Sequence, residues 1–247
     1  MKELTPSYAE LDEIKSSLDI KGFCIFDTTR VIQWTGCSKE ELDDLSTAWN
    51  NLPEDKYLKD KGQYRHRRHS NFVFKNNILT QVPHRAHWQP IEYNALHGGM
   101  ERWFEPVLES TLNKPAWTKI LSKFACDIND LHGNLDTNWC IEAHQFRIDT
   151  SDGIGRPTPE GAHRDGVDFV AVFMVNRNNI KGGETRIFEA NGPRGERFTL
   201  NEPWTVLILD DSKVIHESTP IQPLTNKGYR DTLVVTLRKN YFQNMIV

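Results

Sequence analysis

The seven residues Phe169-Val170-Ala171-Val172-Phe173-Met174-Val175 carry no polar side chain. Successive strand side chains point to opposite faces, so as a strand this segment is apolar on both. It must then be covered on both sides, which requires a layered or closed architecture. The second half of the chain agrees. From Thr137 onward, alternation and β-branched runs place strands near 138–148, 168–176, 184–190, 204–209, 213–217 and 231–238. Lys181-Gly182-Gly183-Glu184 reads as a hairpin-type turn.

The first half reads mainly as helix. Thr5-Pro6 opens one helix and Gly22 closes it, and Phe23 to Phe26 forms a short strand. Ser38-Lys39-Glu40-Glu41 is a capping box ahead of a helix to about Asn50. Tyr64 to Phe74 has no helical period and reads as extended. Helices follow near Met100 to Leu112 and Pro115 to Leu131. The fold class is therefore mainly β with flanking helices. We expect one domain over 1–247, with a helical half (1–136) packed on a strand-built barrel or sandwich core (137–240); no repeat or linker divides it.

Composition narrows the function. Thirty Lys and Arg against 34 Asp and Glu give a formal net charge of -4, which argues against nucleic acid as a partner. No run of roughly 18 apolar residues offers a membrane span. Met1 to Asp12 is polar and acidic, without the apolar stretch of a signal peptide. Cys24, Cys37, Cys126 and Cys140 form no C-x-x-C pair or compact framework and read as free thiols. A cytoplasmic location is the expectation.

His163-Arg164-Asp165 stands at the entrance to the apolar strand. On extended backbone His163 and Asp165 share a face. His216, 53 residues on, supplies a second imidazole near a strand end. Two neutral nitrogens and one carboxylate occupy one face of an octahedron and leave positions open, as a non-haem Fe(II) site requires. Arg230 and Thr232 repeat the same-face spacing on a strand that otherwise looks like core, and suit the carboxylate of a co-substrate. The bland alternative is a solvated His-Asp pair in a loop and a solvated arginine at a strand end. The H-x-D alone is weak, and the four elements together favour the metal.

The chain resembles the Fe(II)- and 2-oxoglutarate-dependent dioxygenases, and more narrowly the bacterial L-isoleucine dioxygenase group, which hydroxylates free amino acids. The resemblance rests on His144-Gln145-Phe146-Arg147, the H-x-D strand, Gly182-Gly183, Pro203, His216 with Thr219-Pro220, and Tyr229-Arg230-Asp231. It covers about half the chain, and the first 130 residues match only loosely. It implies a double-stranded β-helix core of the jelly-roll, cupin-like kind. It also implies Fe(II) bound by His163, Asp165 and His216, and 2-oxoglutarate whose distal carboxylate pairs with Arg230 and Thr232. Products would be succinate, carbon dioxide and a hydroxylated small molecule, with ascorbate an activator in vitro.

Pocket residues are less sharply marked. Gln145 and Arg147 share a strand face and are expected to line the pocket, Gln145 toward the co-substrate and Arg147 toward a substrate carboxylate; an outward polar edge explains them equally well. Arg65, Arg67 and Arg68 are the other carboxylate candidates, against a solvated basic run. Asp168 or Glu142 suits an ammonium group. Pro83 to Trp88 is expected to be a loop covering the site, its H-x-x-H being a poor metal signal. Trp103, Trp117 and Trp139 are expected in the core, and Cys140 as inert packing. Rival readings are ring closure or desaturation on the same iron, a peptide-modifying oxygenase with an open groove, and a structural metal module.

Overall fold

The computed structural model describes residues 4–134 and 137–244. In chain order the strands are β1 (Phe23–Phe26), β2 (Arg65–Lys75), β3 (Ile78–Gln81), β4 (Trp139–Asp149), β5 (Phe169–Asn178), β6 (Ile180–Gly182), β7 (Thr185–Glu189), β8 (Gly195–Phe198), β9 (Thr205–Asp210), β10 (Val214–Ser218), β11 (Ile221–Pro223) and β12 (Tyr229–Lys239). The helices are α1 (Ile14–Ile20), α2 (Thr28–Thr35), α3 (Lys39–Ser46), α4 (Glu109–Leu112) and α5 (Pro115–His132). A seven-stranded antiparallel sheet runs β1-β9-β5-β12-β4-β2-β3, faced by β10-β7-β8 and the pair β11-β6. This is the mainly β, cupin-like architecture with helices outside.

β5 is buried on both faces, as its composition demands. Phe169, Ala171, Phe173 and Val175 join the helix-side cluster with Trp34, Trp117 and Phe124. Val170 and Met174 join a second cluster with Ile187, Leu207 and Val214. Removing the fully buried Phe173 ring would cost about 3–5 kcal/mol. α5 starts at Pro115, whose missing N–H costs nothing there, and buries Trp117, Ile120, Leu121, Phe124 and Ile128 along one stripe. α3 has the expected box: Glu41 N–H donates to Ser38 Oγ, and Ser38 N–H to the Glu41 carboxylate.

The short strand at Phe23 to Phe26 and the extended segment from Tyr64 to Phe74 are borne out as β1 and β2, which pair with β9 and β4 inside the main sheet. Three expectations need correction. The helix near Met100 to Leu112 shrinks to α4. The backbone before it is spent on other partners: Arg102 and His87 exchange both N–H bonds at 3.0 Å, and Val107 N–H reaches His69 O. Trp103 consequently lies 55% exposed, outside the core, whereas Trp117 and Trp139 are buried as expected. The glycine pair after Lys181 makes no hairpin; β6 pairs with β11, and the chain then crosses into β7. The Cβ of any residue at Gly182 would lie 2.2 Å from Pro220 O, at a φ of +84°, so only glycine fits that crossing. Among the described residues, no helix is long and apolar enough to cross a membrane.

Candidate active site

The chain between β4 and β5 is laid against the smaller sheets. Gly155 bridges Ile221, and His163 exchanges backbone hydrogen bonds with His216 at 3.0 and 2.9 Å. This pairing sets the two imidazoles 4.7 Å apart, centroid to centroid. Asp165 completes the group, its two oxygens each 3.7 Å from an imidazole Nε2, one of His163 and one of His216. His163 Nδ1–H donates to Gly161 O at 2.9 Å, which turns Nε2 toward Asp165 and His216 as the atom a metal would take. The backbone after His163 is pinned by Asp211, whose carboxylate accepts from the N–H groups of Asp165, Gly166 and Val167.

The electrostatics of this cluster suit a cation. Burial draws the His163 pKa down, but the nearby carboxylates of Asp165 and Glu160 outweigh it and lift the imidazole to about 9, so a metal bound at Nε2 would displace a proton there. Burial opposes ionisation of Asp165, yet its neighbours His163 and His216 hold the carboxyl far below the usual range. His216 is pulled down to about 4 by burial and by His163. Two imidazoles and one carboxylate converging from one side fit a divalent metal with coordination positions left for other ligands.

Arg230 and Thr232 face the same cavity from β12, with Val234 and Thr236 farther along. Arg230 is 4% exposed, and its Nε has no hydrogen-bond partner. Burial and the Arg177 charge pull its pKa to about 10. A buried guanidinium so placed calls for an anion.

The register of β12, β4 and β2 builds the remaining wall. Arg230 lies opposite Ile148, Thr232 opposite Phe146 and Val234 opposite His144. β2 adds Arg65 and Arg67 beside Ile148 and Phe146. The inward residues of β4 are therefore Glu142, His144, Phe146 and Ile148. This corrects four expectations. Gln145 points to the helix side, where its amide donates to Ala48 O. Arg147, on the same outer face, makes a bidentate pair with Asp231 at 2.8 and 2.7 Å. Arg68 donates to Pro106 O, and Asp168 accepts from the Lys239 N–H. Alternation along the strand forbids Gln145 and Arg147 from sharing a face with His144. Of the substrate candidates in the sequence, Arg67, Arg65 and Glu142 reach the cavity.

The loop from Val82 to Val107 adds residues that sequence reasoning did not single out. Gln89 donates to Asp165 at 3.4 Å and accepts from Arg102 at 2.8 Å and from Asn94 at 3.2 Å. The only signal for them was the loop itself, too long to be a simple connection.

A second buried group, His69, His87, Glu142 and His144, also brings donor atoms within 4.8 Å of one another. His144 Nδ1 is 2.7 Å from Arg67 Nη2. Arginine can only donate, so Nδ1 is bare and the ring proton sits on Nε2, the atom turned toward Glu142. That tautomer makes His144 a donor and argues against its Nε2 as a metal ligand, and it leaves the His163 group as the better open site. The third such group, Cys126, Asp127 and Asp130, lies along α5 at the surface, where Asp127 bonds Trp34 and Lys123.

Residues 46–236 match the family model described as 2OG-Fe dioxygenase. A solved bsmA homolog from Methylobium petroleophilum PM1 is 47% identical over 98% of both chains, with a TM-score of 0.92. IDO from Bacillus thuringiensis shares the fold at a TM-score of 0.76 and 20% identity, covering 97% of this chain and 100% of that one. The Fe(II)/(alpha)ketoglutarate-dependent dioxygenase TqaL does so at 0.71 and 18%, covering 92% and 86%. No curated protein matches the chain. The family match spans well over half of the sequence, so the chain belongs to the 2OG-Fe dioxygenases, oxidoreductases that use Fe(II) and 2-oxoglutarate.

Proposed function

We propose that the chain hydroxylates an unactivated C–H bond of a free L-amino acid, isoleucine-like or related, with release of succinate and carbon dioxide. The observation that carries this reading is a cavity of about 140 Å³ faced by the three-donor group and by four buried guanidiniums, of which Arg65 bonds Asp55 and Arg102 bonds Gln89, while Arg230 and Arg67 stand on β12 and β2. A confined, strongly cationic space suits small acids better than a peptide laid in an open groove.

His163, Asp165 and His216 would hold Fe(II), which with 2-oxoglutarate and oxygen supplies the oxidising power. The remaining work belongs to the chain. The hydrogen bond to Gly161 keeps His163 Nε2 directed inward, and Gln89 steadies one oxygen of Asp165. Arg230 takes the distal carboxylate of 2-oxoglutarate through its planar fork, and Thr232 adds a hydroxyl from the same face. Val167, Val172 and Val234 form the dry side of the cavity and keep water from the reacting carbon. The free thiols Cys24, Cys37 and Cys140, all buried, go with a cytoplasmic location.

The test is succinate formation from 2-oxoglutarate with Fe(II) and ascorbate across a panel of L-amino acids, with product mass read in parallel. Stimulated turnover, a product gaining one oxygen, and loss of both in His163→Ala support the reading. A product lacking two hydrogens would replace hydroxylation by desaturation or ring closure. No stimulation by any amino acid would remove the free amino acid from the account.

A further inference from the structure

We infer that the wall formed by β2 and β4 is a clamp for a zwitterion, in which Arg67 takes the α-carboxylate and Glu142 the α-ammonium of the amino acid. The inference rests on the oxygenase reading for its chemistry, and adds which two charges the substrate must carry and which residues read them.

Arg67 is buried, with its guanidinium carbon 3.6 Å from the centre of the Phe104 ring and 4.2 Å from that of Phe146. These aromatic contacts leave the edge of the fork for polar partners. On that edge Nη2 donates to His144, Nε has no partner, and the carboxylate of Asp55 stands 3.8 Å from Nη1. Asp55 is itself committed to Arg65 at 2.7 Å. Arg67 is thus a buried cation short of an anion, in the wall of the cavity. A flat fork held edge-on is the geometry that receives a carboxylate.

Glu142 is the complement. Its oxygens accept from His87 Nδ1 at 2.6 Å and from Asn71 Nδ2 at 3.3 Å. The three histidines around it are neutral at pH 7, because burial pulls each below the ordinary imidazole range, His87 to about 4. Burial opposes the Glu142 charge, but the His87 contact at 2.6 Å and the neighbouring His144 and His69 rings outweigh it. The result is an ionised carboxylate with donors around it and no full cation in contact. Such a group is stabilised by an ammonium.

The spacing between the two supplies the identity of the ligand. Arg67 and Glu142 are separated by one imidazole ring, His144, which accepts from the first and turns its Nε2–H toward the second at 3.7 Å. Anchors one ring apart match charges borne on a single carbon, and fit poorly to a diacid, a simple amine or charges at the two ends of a long chain. Arg67 and Glu142 line the same cavity as His163, Asp165 and His216, so a substrate held in the clamp can extend its side chain toward the metal donors.

Glu160 is the rival carboxylate of the cavity, 3.6 Å from His163 and with a buried unpartnered oxygen. The experiment separates the two. With Fe(II) and 2-oxoglutarate present, substrate-stimulated succinate formation is measured for a panel of L-amino acids. The best member is then compared with its deaminated acid and its decarboxylated amine. The wild-type protein should prefer the intact amino acid over each analogue by on the order of 10–100-fold in kcat/KM, the worth of one charged hydrogen-bonded contact. Glu142→Gln should erase the preference over the deaminated acid and keep the preference over the amine; Arg67→Met should do the reverse.

Wild-type protein that uses either analogue as well as the amino acid overturns the clamp without any variant. Loss of ammonium discrimination in Glu160→Gln in place of Glu142→Gln overturns the assignment of Glu142. A second bound metal per chain that disappears in Glu142→Gln also overturns it. Absence of all 2-oxoglutarate turnover, by contrast, counts against the oxygenase reading itself.

Discussion

Asp55→Ala offers a strict test of how the cavity wall is held. Asp55 is buried, accepts from Arg65 Nε at 2.7 Å and Tyr57 N–H at 2.9 Å, and stands 3.8 Å from Arg67. Removing it leaves two buried guanidiniums without their shared counter-charge. Breaking a buried pair in this way costs about 3–5 kcal/mol, a large part of a typical domain's stability. Burial alone would raise the Asp55 pKa, but Arg65 and Arg67 outweigh it and hold it below the ordinary carboxylate value. Its folded pKa thus lies below its unfolded one. The stabilisation is complete above about pH 5 and is lost as pH falls through roughly 4 and below. Urea denaturation of the wild-type protein and Asp55→Ala at pH 7 and pH 2.5 measures both effects. The gap should be about 3–5 kcal/mol at pH 7 and smaller by up to roughly 1.8 kcal/mol at pH 2.5, more than a unit below the unfolded pKa. A gap under ~1 kcal/mol at pH 7, or one unchanged at the lower pH, would refute the reasoning.

Two further variants separate the inner and outer faces of the sheet. Arg230→Met should raise the KM for 2-oxoglutarate by about 10–100-fold, with thermal stability unchanged or increased because a buried charge is gone; a KM within about threefold of wild type would remove Arg230 from the co-substrate site. Arg147→Met breaks the bidentate pair with Asp231 on the outer face. It should cost about 1–3 kcal/mol in urea denaturation and leave the KM of both substrates unaltered, and a selective rise in either KM would put Arg147 back in the pocket.

The parts of the candidate site legible in the sequence were local in the chain or signalled by composition. Arg230 and Thr232 are two residues apart on β12, and strand geometry puts them on one face; His163 and Asp165 share that spacing but lie in the irregular segment before β5, where the His163–His216 bridge and Asp211 hold them. β5 announced its central position through its composition. The β4 wall was misread for a physical reason: helices cover the outer face, so Gln145 is as buried as His144, and alternation of polarity no longer marks inside from outside. Pairing Gln145 with Arg147 was correct as a face and wrong as to which side it looked. The same parity would have separated Arg67 from Arg68 on β2. The short turn before β3 carried a readable signal in Asn76-Asn77, both at positive φ, of the kind hairpin turns select. Nothing in the order of residues foretold that His69, His87, Glu142 and His144 meet, since they come from two strands and a loop held together only by tertiary pairing.

Metal content is the measurement that bears most directly on the central claim. Purified protein reconstituted with Fe(II) without oxygen should bind one equivalent, read by elemental analysis after removal of free metal. His216→Ala and Asp165→Ala should lose it, while Glu142→Gln should keep it. Iron retained when His216 or Asp165 is removed, and lost when Glu142 is changed, would place the metal in the other cluster and contradict the account.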